Sequence, residues 1–132
     1  MAKMKDVSKW VSQVFAHDNL MSADGASGMC YTVTQDVQYQ FDFKKLIYTF
    51  HDNDAVGRYR TLGQHSDHFA IMHRGKVLDY TLRQFDESTP WPFYGTIDEW
   101  KAVLEKAWET KVDHHIIYDV DDREFIREEA LS

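Results

Sequence analysis

Apolar side chains recur at Val7, Trp10, Val11, Val14 and Phe15, spaced i, i+3, i+4, i+7, i+8. That spacing draws one apolar stripe and predicts a helix over 6–16, with Asp6 able to cap it. Turn formers follow (Asp18-Asn19, Ser22, Asp24-Gly25, Ser27-Gly28), so 17–29 reads as a loop. Residues 30–43 fit two patterns. Val37, Tyr39, Phe41 and Phe43 alternate with polar residues as in a strand, whereas Val33, Val37 and Phe41 share one helical face. The helical reading is preferred, beginning near Cys30 and fraying by about Gln40. Leu46 to Phe50 reads as a short buried strand, His51 to Asp54 as a turn, and Arg58 to Leu62 as a further strand.

Two strand-like runs, 69–72 and 76–80, flank Arg74-Gly75 and predict a hairpin. Residues 82–95 read as a loop carrying Pro90, Trp91, Pro92, Phe93 and Gly95. Thr96 and Glu99 form a capping-box pattern ahead of a helix that puts Ile97, Trp100, Leu104, Ala107 and Trp108 on one face. His114 to Tyr118 predicts another strand, and 121–132 is charged, either a short helix or a tail. The chain reads as one domain over 1–132 with an acidic segment from about 119 onward.

The formal charge is −7 and unevenly spread. Residues 98–132 hold 11 acids and 5 bases, against 11 and 10 in residues 1–97. Such an acidic surface argues against nucleic acid, whose binding needs lysine and arginine to displace counterions. No apolar run reaches the roughly 20 residues of a membrane span, and the first residues lead into the amphipathic pattern without an apolar signal core. A single cysteine allows no internal disulfide and suits a reducing compartment or a reactive thiol. The expectation is a cytoplasmic protein with no membrane or nucleic-acid partner. Oligomeric state stays open.

Candidate chemistry follows from chain order. Cys30 comes after a small-residue loop, Gly25 to Met29, then His68 opens the hairpin and Asp79 stands near its end. With a two-residue turn at Arg74-Gly75, His73 faces Lys76 and Met72 faces Val77. His68, Ala70, Met72, Val77, Asp79 and Thr81 then share one sheet face. His68 and Asp79 become diagonal neighbours, roughly 7–8 Å apart along the backbone and within side-chain reach. A carboxylate so placed orients the imidazole, which can take the proton of a thiol beside it. Cys30, after Ser27-Gly28, can open a helix. Its amide is then one oxyanion donor, Asn19 a candidate for the second, and Gly28 lets a substrate approach the backbone.

These residues resemble a known family. Gly28-Met29-Cys30, the strand opening with His68, and Asp79-x-Thr81-x-x-Gln84-Phe85 are similar to the papain-like cysteine hydrolase domains of bacterial toxins and effectors and their phage-borne relatives. The similarity spans about residues 25–108. The family more often carries Gly-Asn-Cys, where Met29 stands here. The resemblance implies an α+β, papain-like fold with N-terminal helices packed on a small antiparallel sheet, and a Cys30–His68–Asp79 triad. It also implies hydrolysis of an amide in a protein substrate, a peptide bond or a glutamine side chain, with no cofactor.

Other readings stand beside it. A free cysteine is often a small buried hydrophobe. His65, Asp67, His68 and Cys30 could hold zinc, although the spacing matches no strong pattern. His114 and His115 are adjacent and would point to opposite faces of a strand. Trp91-Pro92-Phe93-Tyr94 is either a lid on the core or, through Trp91, part of a substrate groove. The acidic C-terminal third also fits a non-catalytic inhibitor that docks on a basic partner.

Overall fold

The computed structural model describes residues 3–50 and 67–120. The turn expected at His51 to Asp54, the strand expected at Arg58 to Leu62 and the segment 121–132 lie outside them.

Helix α1 spans Met4–Val14 and buries Val7 and Val11. It starts before Asp6, so Lys3 occupies the N-cap position and Asp6 lies in the first turn. There its charge meets the positive end of the helix dipole instead of capping an N–H. The expected loop 17–29 contains a one-turn helix, α2 (Ala23–Ala26), where the Gly25 N–H donates to Ser22 Oγ at 3.0 Å. Four residues are too few to leave a periodic signal. Helix α3 runs Cys30–Phe41 and stops at Asp42, whose φ of 55° leaves the helical region. The helical reading of this ambiguous stretch holds.

The strands are β1 (Lys45–Phe50), β2 (Asp67–His73), β3 (Lys76–Asp79), β4 (Phe93–Gly95) and β5 (His114–Asp119). They form one antiparallel sheet in the order β4-β3-β2-β1-β5. The β2–β3 hairpin has the expected register, with His73 opposite Lys76, Met72 opposite Val77 and Ile71 opposite Leu78. Arg74 and Gly75 both have positive φ, 54° and 78°, as a type I′ turn requires. The segment 82–95, expected as loop, holds a 3-10 turn at Leu82–Gln84 and strand β4.

Helices cover both faces. Val7, Val11, Val33 and Val37 of α1 and α3 pack with Leu46, Ile71 and Leu78. On the opposite face Trp100, Leu104 and Trp108 of α4 (Ile97–Trp108) pack with Ile47, Ala70, Met72 and Val77. The capping box forms as expected, with the Glu99 N–H on Thr96 Oγ1 at 3.1 Å and the Thr96 N–H on Glu99 Oε1 at 2.9 Å. The architecture is α+β. Among the described residues no helix is long and apolar enough to cross a membrane.

Candidate active site

Asp79 ends β3 and His68 stands near the start of β2, and hairpin parity turns both toward α4. Their side chains meet, His68 Nε2 to Asp79 Oδ2 at 2.6 Å, with 0% and 1% of their surfaces exposed. Isolated buried charges cost several kcal/mol, so such a pair persists only where its other hydrogen-bonding positions are satisfied. Asp79 meets that condition. Its Oδ2 also accepts the Trp100 Nε1–H at 2.8 Å, and its Oδ1 accepts the Thr81 N–H at 2.8 Å and the Thr81 hydroxyl at 3.2 Å.

Burial pushes the Asp79 carboxyl up, yet the His68 charge and the hydrogen bonds from His68, Trp100 and Thr81 outweigh it and hold it below the usual range. For His68, burial favours the neutral ring. The Asp79 charge and hydrogen bond, with smaller contributions from Cys30, overcome burial and raise its proton affinity. At neutral pH the pair is therefore imidazolium and carboxylate. The ring is wedged in place: Phe85 meets it edge-on, centroids 4.9 Å apart, and Trp100 lies tilted at 5.8 Å. Thr49, opposite His68 in β1, is buried and donates its hydroxyl to the His114 carbonyl.

One ring nitrogen remains. His68 Nδ1 is buried and makes no hydrogen bond of ordinary geometry among the described residues. Cys30 neighbours the ring and makes a small contribution to its raised proton affinity. Cys30 is the first residue of α3 and is partly exposed. Gly28, at φ 75°, turns the chain into the helix, a conformation that costs a residue with a Cβ. The first N–H groups of a helix have no intrahelical partner and carry its positive dipole end, so the Cys30 amide is an available donor. Tyr48, Phe69 and Tyr118, with Tyr31, Phe50 and Ile116 at the edge, form an apolar cluster against Cys30.

The remaining residues singled out from sequence are dispersed. Asn19, at φ 50°, lines a cavity of about 140 Å³ beside α1 together with Trp91, and none of Cys30, His68 and Asp79 is among its walls. Trp91 donates its Nε1–H to the Tyr80 carbonyl at 3.1 Å and packs against the α1–α3 core. Gln84 sits in the 3-10 turn that lies against α2, next to Phe85. Its amide nitrogen is buried without a hydrogen-bond partner among the described residues. Among those residues no group of three or more His, Cys, Asp or Glu is placed to hold a metal ion. His65, part of the zinc alternative, lies outside them. Tyr48 donates to Asp67 at 3.3 Å.

Trp100 was legible only as a core residue, because its place on the α4 stripe accounts for its burial. Its second role, holding Asp79 through the indole N–H, depends on tertiary placement. One general signal exists, since a buried tryptophan needs an acceptor for its N–H. Searches against protein-family models, curated proteins and solved structures find no match for this chain.

Proposed function

We propose that the protein is a cysteine hydrolase of papain-like type that attacks an amide in a protein substrate. The observation that carries this reading is the asymmetry of His68. One nitrogen is fixed by a fully hydrogen-bonded carboxylate, while the other is buried, has no hydrogen-bond partner among the described residues, and neighbours the only cysteine in the chain.

The steps follow from that asymmetry. In the reactive form the thiol proton resides on His68 Nδ1, and Asp79 stabilises that imidazolium beside the thiolate. The thiolate sulfur adds to the substrate carbonyl, and the oxyanion is met by the Cys30 amide at the start of α3. Collapse of the adduct breaks the C–N bond. His68 returns the proton to the departing nitrogen, leaving a thioester on Cys30. His68 then takes a proton from water as the water oxygen adds to the thioester, and the thiol is regenerated as the acid departs. An amine leaves if the bond is a peptide, and ammonia leaves if it is a glutamine side chain.

Mass spectrometry of candidate protein substrates after incubation tests this. The expected result is either cleaved chains or a gain of one mass unit at glutamine, lost in Cys30→Ser and in His68→Gln. Turnover that persists in Cys30→Ser would refute the assignment.

A further inference from the structure

Strand β5 is an edge of the sheet, and among the described residues β1 is its only strand partner. Just past its end the Val120 N–H donates to the Lys44 carbonyl at 2.9 Å. Hydrogen-bonded and non-bonded pairs alternate along an antiparallel ladder, so that one bond fixes the direction of every backbone group in β5. Tyr118, Ile116 and His114 turn their N–H and C=O toward β1. His115, Ile117 and Asp119 turn theirs outward, off the sheet. The side chains of these three share the α4 face, since Ile117 stands opposite Ile47. All three are exposed, Ile117 at 43%.

An open strand edge is a template for another strand, and folds blunt it with lysine, proline, a bulge or shortness. The opposite edge follows that rule, because β4 has three residues and comes directly after Pro92. β5 does not. It runs six residues in unbroken register with β1, holds no lysine, proline or glycine, and carries Ile116, Ile117 and Tyr118, which suit a strand.

We propose that β5 pairs antiparallel with β5 of a second copy of this chain, joining two sheets across a two-fold axis at Ile117. Hydrogen-bonded pairing needs outward groups on both strands, so His115, Ile117 and Asp119 pair among themselves. The register centred on Ile117 uses all three. Ile117 meets its counterpart, and on each side of the axis His115 meets the copy's Asp119, so the strand is complementary to itself in both apolarity and charge. Sliding the copy two residues either way sets Ile117 against a polar residue, and one of the two slides brings Asp119 opposite Asp113. On the other face Ile116 comes opposite the copy's Tyr118. Lys101 and Asp98 of α4 also act on His115. Burial and Lys101 lower its proton affinity against the opposing Asp98, so near pH 7 the ring is neutral and donates one N–H. Lys45, opposite Asp119 in β1, leaves that carboxylate a neighbour on each side. Two chains of formal charge −7 repel, but at physiological salt the repulsion is screened beyond about 8 Å.

Sedimentation equilibrium of the full chain with reductant at about 150 mM salt tests the proposal. A weak dimer, roughly micromolar, is expected. Ile117→Lys sediments as a monomer with a native circular dichroism spectrum, since the position is exposed and an edge lysine opposes pairing. His115→Asp weakens association about fivefold or more, and the double variant His115→Asp with Asp119→His recovers it, because the cross-strand pair returns with its members exchanged. In a Cys30→Ser background, Ile117→Cys crosslinks on mild oxidation far faster than Tyr39→Cys, a position 78% exposed on α3. Hydrogen-bonded partners lie about 5.5 Å apart between Cα atoms, within disulfide range. The proposal is overturned by a monomer at about 200 µM, by a dimer that survives Ile117→Lys, by a double variant no better than His115→Asp, or by equal crosslinking at the two positions.

Discussion

Replacing Asp79 by asparagine removes one charge and keeps nearly the same shape, so its consequences can be followed atom by atom. The carboxylate accepts four hydrogen bonds, from His68, Trp100, the Thr81 N–H and the Thr81 hydroxyl. An asparagine has one acceptor oxygen and one NH₂. If its oxygen stays with Thr81, the NH₂ meets the Trp100 N–H, two donors facing each other. If the oxygen turns to His68 and Trp100, the NH₂ meets the Thr81 N–H. Either way a buried donor is orphaned, which costs about 1–3 kcal/mol.

The imidazole also loses the charge that offset its burial, so it turns neutral. With the oxygen on Thr81, His68 Nε2 must accept from the NH₂, and Nδ1 then carries the proton toward Cys30. That tautomer cannot take the thiol proton. The summed expectation is a loss of about 2–4 kcal/mol of stability. Urea denaturation followed by tryptophan fluorescence reads the stability, and ¹⁵N shifts of the imidazole read the ring state. The native chain at neutral pH should show both ring nitrogens protonated and Asp79→Asn a neutral ring. A variant within about 0.5 kcal/mol of the native chain that still carries an imidazolium would refute the reasoning.

Stability should also depend on pH through this pair. The raised His68 value means its contribution is full below 6.5 and is lost as pH rises toward about 10. The lowered Asp79 value means its contribution is present above 3.8 and is lost as pH falls through the lower folded value. Denaturation of the native chain and of His68→Gln between about pH 5 and pH 9 should give a native advantage that shrinks as pH rises; a growing advantage would be inconsistent with the assigned charges. Trp100→Phe removes the indole donor from Asp79 and part of a fully buried ring, and should lower stability by about 2–3 kcal/mol in thermal unfolding. Gly75→Ala places a Cβ in open space but at φ 78°, so its cost of about 1–2 kcal/mol is wholly backbone. Gly75→Asn should recover most of that loss in urea midpoints, since asparagine tolerates this conformation.

What could be read from the chain was the part governed by local rules. The hairpin register followed because Arg74-Gly75 dictates a two-residue turn, and strand parity then placed His68 and Asp79 on one face. The capping box located the start of α4, and one helical stripe correctly resolved the 30–43 ambiguity. Elements too short for periodicity escaped: α2, the 3-10 turn and β4 span three or four residues each. Asp6 was misread as a cap because its residue type suited the position while the helix began two residues earlier. Asn19 was chosen for its amide, but its turn directs it with Trp91 to a hollow beside α1. The Trp100 hydrogen bond and the Phe85 contact that hold the buried pair are long-range facts with no local signature.

His68 is proposed to govern the chemistry of Cys30. The rate of iodoacetamide alkylation at Cys30 at neutral pH, compared between the native chain and His68→Gln with the labelled residue identified by mass spectrometry, tests it most directly. Selective labelling of Cys30 is expected, slowed by about tenfold or more in His68→Gln while the fold is retained. Equal rates in the two proteins would contradict it.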